Sequence, residues 1–410
     1  MNTKKILALL VCACMLLVVL TGCGGGTQVV EYTDDEIAES AANTADTAAA
    51  ADEDAVSIGQ GGTGAAAYPL DTVVATVNGD EVTWEEYYYW LSYYVGYSQS
   101  LAAQYNFVIT DWDGADLAEG MTNAEAIIAS AQYAAAQYHI YEQEAASNEI
   151  TAASGEIAEQ VDEIIASNAD SYYGDGDGET ASDEMTAMEE AIAESGVTTD
   201  LLRYQTAVNV MNAASFTAQY GENGENYPDD AVMQFIEDNS IMNAKHILLL
   251  TVDPDTGEAL SDEEIAEKQA LIADLMVQLQ EVQDDPDALN ELFDELMNEY
   301  SEDTGLETYP DGYIFAPGDM IESFEDAVLE LDENYGLSDI VQSEYGYHII
   351  LRMPVTPDDT YVNVSSGYAY TLRDLAASND FTTRLTELQE AADIQWYDEY
   401  TNLDMMAIFG

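Results

Sequence analysis

Only three histidines occur in the 410 residues: His139, His246 and His348. Two of them stand in short Ile/Leu-rich runs with the length of buried strands. These are Asn243-Ala-Lys-His-Ile-Leu-Leu-Leu250 and Ser343-Glu-Tyr-Gly-Tyr-His-Ile-Ile-Leu351. A chain so poor in histidine that sets two in core-like strands, far apart in sequence, is expected to bring them together. Once paired, the imidazoles either hold the core by hydrogen bonding or serve chemistry, and spacing alone leaves both readings open. His139, on an Ala/Tyr-rich helical stretch, reads as structural.

The elements that must position the pair are legible between the two strands. Ser261-Asp-Glu-Glu264 has the form of a capping box and opens a helix through Ile265, Leu271, Ile272, Leu275 and Leu279. Pro286 suits the first position of a second helix, with Leu289, Leu292, Phe293, Leu296 and Tyr300 on one side. A turn-rich run (300–305), a short strand Tyr313-Ile-Phe315 and a turn-plus-helix segment Gly318–Ala327 follow. Strand, helices, strand, helix and two strands predict an α+β domain over 241–354, a small mostly antiparallel sheet covered by helices.

In order, these pieces resemble a parvulin-type peptidyl-prolyl isomerase domain: His246-Ile-Leu248, Ser301-Glu-Asp303, Gly318-Asp-Met-Ile-Glu-Ser-Phe-Glu-Asp-Ala327 and Gly346-Tyr-His-Ile-Ile350. The resemblance implies a proline pocket formed by Met320, Phe324 and Phe315. His246 and His348 would meet beneath it, with Ser343 nearby. Asp303, taken as a solvent-reachable turn carboxylate, would lie on the carbonyl side of the substrate amide. No cofactor and no metal is implied. One departure stands out: the family usually has Gly-Gly-Asp-Leu-Gly where this chain has Tyr309-Pro-Asp-Gly-Tyr313, so Gly312 replaces an apolar pocket residue. A catalytically inactive, client-holding protein is the alternative this leaves open.

Outside that domain the sequence reads as an exported protein. Lys4 and Lys5 precede fifteen apolar residues, Ile6–Leu20, and then Leu20-Thr-Gly-Cys23. The run is short for a membrane span and reads as a signal peptide, residues 1–22. Leu-x-Gly-Cys resembles the lipobox of bacterial lipoproteins, which implies lipidation of Cys23 and an anchor on the outer face of the cytoplasmic membrane. Cys12 and Cys14 would leave with the signal, so no disulfide, cysteine nucleophile or Cys-rich zinc site is expected. Residues 23–70, rich in Gly, Ala, Thr and Asp, read as a flexible tether.

From Thr72, two β-branched runs flank Asn78-Gly79, a strong hairpin signal. Thr83 and Glu86 frame a capping box for a helix with eight aromatics from Trp84 to Tyr97, more than one helical face can bury. With Val77-Asn-Gly, this combination resembles the chaperone lobe of PrsA-type foldase lipoproteins and SurA-like relatives. That implies a mostly helical lobe over 71–240, completed by 355–410, whose surplus rings contact unfolded polypeptides containing X-Pro bonds.

The formal net charge is −73, with only eight Lys and Arg residues in the whole chain. Nucleic acid is excluded as a partner, because there is no basic footprint to neutralise phosphates. The loop Thr251–Glu258 carries no basic residue, so specificity for phosphoserine-proline, which resembling proteins read with a basic cluster there, is rejected. Weak association with calcium and a homodimer complete the expected partners.

Overall fold

Asn78 and Gly79 adopt φ of 53° and 97°, the left-handed pair that a type I′ hairpin turn requires. They join β1 (Val73–Val77) to β2 (Asp80–Thr83). The computed structural model describes residues 62–105, 107–173, 181–254, 256–332, 335–362 and 369–410. The expected signal peptide, Cys23 and most of the expected tether lie outside these. The chain divides into two units, one comprising residues up to Gln219 together with Asn379–Gly410, the other Tyr220–Ser378.

The first unit is mainly helical. Thr83 and Glu86 form the expected capping box at the start of α1 (Trp84–Gln104). A second box, Thr122 with Glu125, opens α2 (Asn123–Ser147). α3 (Gly155–Tyr173), α4 (Ala181–Glu194) and α5 (Thr199–Tyr220) follow. The aromatic surplus of α1 packs inward to a greater degree than its pattern predicts. Trp84, Tyr87, Tyr88, Trp90 and Tyr94 are buried, while Tyr93 is 39% exposed. The extra faces are covered by rings from the C-terminal stretch, Trp396 at 4.7 Å from Tyr87 and Phe409 stacked at 5.6 Å on Tyr88. His139 is buried on α2 and pairs with Glu86 at 3.1 Å, in keeping with a structural role.

The second unit contains α6 (Asp229–Asp238), β3 (Met242–Leu250), α7 (Asp262–Gln280), α8 (Pro286–Tyr300), β4 (Tyr313–Phe315) and α9 (Glu322–Leu329). β5 (Gly336–Leu337), β6 (Val341–Gln342), β7 (Gly346–Met353), β8 (Thr360–Val362) and β9 (Ala369–Thr371) complete it, with the first turns of α10 (Leu372–Ala391). Its main sheet has the antiparallel order β4-β3-β7-β5, with β6 also on β7. Side chains alternate across a pleat. Ile247, Leu249, Ile349 and Leu351 therefore face α7 and α8, meeting Ile272, Leu275, Leu289 and Phe293. Met242, Ala244 and Ile350 face the other way, onto Phe315, Phe324 and Val328. Both faces are covered, which is why β3 and β7 read as continuous apolar runs although the sheet is antiparallel. Truncating the fully buried Phe293 to alanine is expected to cost about 3–5 kcal/mol.

The compact unit extends past the expected limits at 241 and 354. Val232 and Ile236 of α6 share one apolar cluster with Ile241, Leu372 and Ala376, and Val355 packs against it. Cutting at 241 would strip that cluster of its helix. In the first unit, β10 (Ile394–Trp396) then adds to β1 as the third strand, with Ala75 opposite Trp396. Among the described residues, no helix is long and apolar enough to cross a membrane.

Candidate active site

Register decides where the histidines meet. His246 lies opposite Ile350 and His348 opposite Leu248, so the two are diagonal neighbours on one face of the β3–β7 ladder. Their Nδ1 atoms are 3.1 Å apart and the rings stack at 5.3 Å. Both side chains are buried, at 8% and 3% exposure.

Each remaining ring nitrogen has a partner. His246 Nε2 lies 2.7 Å from Asp303 Oδ2, and His348 Nε2 lies 2.7 Å from Ser343 Oγ. The Ser343 oxygen already accepts the amides of Tyr345 (3.1 Å) and Gly346 (3.4 Å), so its hydroxyl proton is directed to His348. His348 then donates from Nδ1 to His246, and His246 donates from Nε2 to the carboxylate. One proton on each ring satisfies every partner, and the tautomers follow from the network. Burial, with the imidazole of His246 beside it, pushes His348 down to about 4 against a partial offset from Asp303.

Asp303 is delivered by the segment after α8. The Leu248 amide donates to Ser301 Oγ, the Glu302 amide to the Leu248 carbonyl, and the Leu250 amide to the Glu302 carboxylate. Residues 301–302 are thereby pinned alongside β3, which fixes the next side chain. The carboxylate is not the solvent-reachable turn group expected from sequence. Its side chain is 16% exposed, and it accepts from His246, from the Gly305 amide (3.0 Å) and from the Tyr313 hydroxyl (2.6 Å). Burial raises its pKa, but the bonds from His246, Tyr313 and Gly305 prevail and hold it at about 2. Tyr313 was legible only as a departure from the family pattern. Nothing in its neighbours along the chain shows that its hydroxyl reaches Asp303.

The apolar wall stands on the same face. Phe324 presents its ring edgewise to His246 at 5.3 Å and to His348 at 6.1 Å. Met320, partly exposed, packs in the same cluster. Its turn is held by Glu325, which accepts the amides of Gly318 (2.8 Å) and Met320 (2.9 Å). Phe315 differs from expectation. At 1% exposure, it backs Phe324 from within the core and offers a ligand no surface.

Gly312 has φ of 99°, and a Cβ there would come within 2.7 Å of the Ala244 carbonyl oxygen. The backbone runs too close to β3 for the side chain the family pattern places at this point. Among the described residues no group of three or more His, Cys, Asp or Glu side chains is arranged to hold a metal ion.

Residues 246–353 match the family model of the PPIC-type PPIase (rotamase) domain. Foldase protein PrsA 1 of Listeria monocytogenes is 36% identical over 114 residues, 26% of this chain and 37% of the relative. Foldase protein PrsA 3 of Bacillus cereus is 48% identical over 60 residues, 14% of this chain and 20% of the relative. The chain thus matches little more than a third of the relatives' length. A solved peptidylprolyl isomerase (PrsA) from Bacillus cereus aligns at 19% identity over 68% of this chain and 89% of that one, with a TM-score of 0.27. That overlay is too loose to add to the domain match.

Proposed function

We propose that this chain, whose residues 246–353 are a PPIC-type peptidyl-prolyl isomerase domain, is an extracytoplasmic foldase. In this reading it turns X–Pro bonds of exported polypeptides between cis and trans and holds unfolded clients on its helical unit. The supporting observation is the unbroken chain Asp303–His246–His348–Ser343 next to Phe324, an ionised carboxylate held rigidly at an apolar wall.

Rotation about the X–Pro bond faces a barrier of ~20 kcal/mol because the amide is conjugated. No bond has to be made or broken. Met320 and Phe324 grip the prolyl ring and exclude water from it. Asp303, negative across the neutral range, lies at the carbonyl side. There it disfavours the planar, charge-separated resonance form relative to the twisted amide, whose nitrogen is less conjugated. The histidine pair and Ser343 keep the carboxylate and the sheet in register.

Cys23, lipidated, anchors the chain at the outer face of the membrane, and the segment after it gives the folded units reach. Calcium associates weakly, as diffuse screening of the acidic surface. Catalysed exchange of an X–Pro peptide by the full chain, measured by NMR, tests the isomerase reading. A chain that suppresses client aggregation but never accelerates exchange would instead be a holdase, the reading to which Gly312 lends weight.

A further inference from the structure

We propose that Tyr313 is a positioning residue of this site, whose hydroxyl fixes the orientation and charge of Asp303 independently of His246. This rests on the isomerase reading above and assigns a role to a residue at which the chain departs from the family pattern.

Three observations carry it. The Tyr313 hydroxyl lies 2.6 Å from Asp303 Oδ2, the same oxygen that accepts from His246 Nε2 at 2.7 Å, so one carboxylate oxygen has two side-chain donors from two strands. The chain is built around this contact. A Cβ on Gly305 would overlap the Tyr313 hydroxyl, and Gly312, tight against Ala244, lets β4 approach β3 with Tyr313 aimed at the site. The ring itself is clamped, tilted on Tyr309 at 4.9 Å and edgewise to His246 at 5.7 Å.

The other charged groups nearby are engaged elsewhere. Lys245, whose stem passes Gly312, bonds Asp294 and Asn290. Glu302 is held by Lys268 and the Leu250 amide. His348 faces His246 and Ser343. Burial and the adjacent carboxylate raise the Tyr313 pKa, so the hydroxyl remains a donor throughout the range in which Asp303 titrates.

The test uses the full chain and Tyr313→Phe, which removes one oxygen and leaves the ring. Two readouts are followed: the carbon-13 titration of the Asp303 carboxyl, and the acid limb of kcat/KM for X–Pro exchange. Loss of one hydrogen bond to a charged group is expected to raise the Asp303 midpoint by roughly one to two pH units, and the acid limb moves with it. Gly305→Ala, which displaces the hydroxyl without deleting it, shifts both in the same direction and decides the question should the phenylalanine variant fail to fold. An unchanged midpoint in a folded variant overturns the assignment, whatever the exchange rate. A raised midpoint supports it even in a chain that shows no exchange, where only the isomerase reading falls.

Discussion

His246 and His348 are 3.1 Å apart through their Nδ1 atoms because they occupy a diagonal of the β3–β7 ladder, offset by two residues from facing each other. That relationship links the carboxylate at one edge of the site to the serine turn at the other. Removing either ring leaves the buried Nδ1 of the other without its partner. His348→Ala is therefore expected to destabilise the second unit by roughly 1–3 kcal/mol in urea unfolding. Replacing both histidines with apolar residues of similar shape should recover part of that loss.

Acid should loosen the same core. His348 is held at about 4, below its ordinary 6.5, so the unfolded chain takes up a proton first. Its contribution is full above about 6.5 and is lost as pH falls through 6.5 towards 4, about 3 kcal/mol in all. Asp303, at about 2 against an ordinary 3.8, adds a further loss below 3.8. Denaturant midpoints measured from pH 7 to pH 4 should fall, and the fall should flatten when His348 and His246 are both made apolar.

Installing the family's apolar residue should not restore a pocket. Gly312→Leu forces a branched side chain into a left-handed φ and against the Ala244 carbonyl, a strain of about 1–3 kcal/mol. Thermal unfolding is expected to drop, and β4 should pull away from β3, visible as loss of amide protection at Ala244 and Tyr313.

Much of this was readable from the chain because it is local chemistry. The capping boxes at Thr83 and Ser261, the Asn78-Gly79 turn and the proline start of α8 each depend on residues within a few positions of one another. The two histidines were visible because their runs are buried on both faces. Strands β8, β9 and β10, three residues each, are too short to show a period. The role of Phe315 and the partners of Asp303 depend on which face a strand presents, and that is set by register across the sheet. The box of Thr122 with Glu125 has the same local form as the other two.

Domain limits give another test. A fragment of residues 220–378 keeps α6 and the start of α10 around Ile241, whereas one of 241–354 leaves Ile241 and Ile314 bare. The longer fragment should unfold cooperatively and at higher temperature by calorimetry. Equal stability of the two would show that the cluster contributes nothing.

In the mechanism proposed above, an ionised Asp303, held at an apolar wall, accelerates rotation of the X–Pro bond. Asp303→Asn removes the charge and keeps an acceptor oxygen for His246 and Tyr313, losing only the bond from the Gly305 amide. NMR exchange spectroscopy on an X–Pro peptide with the full chain reads the effect of that change. Clear acceleration is expected of the native chain, with a loss of at least about tenfold in the folded asparagine variant. Native-level exchange by that variant would contradict the mechanism.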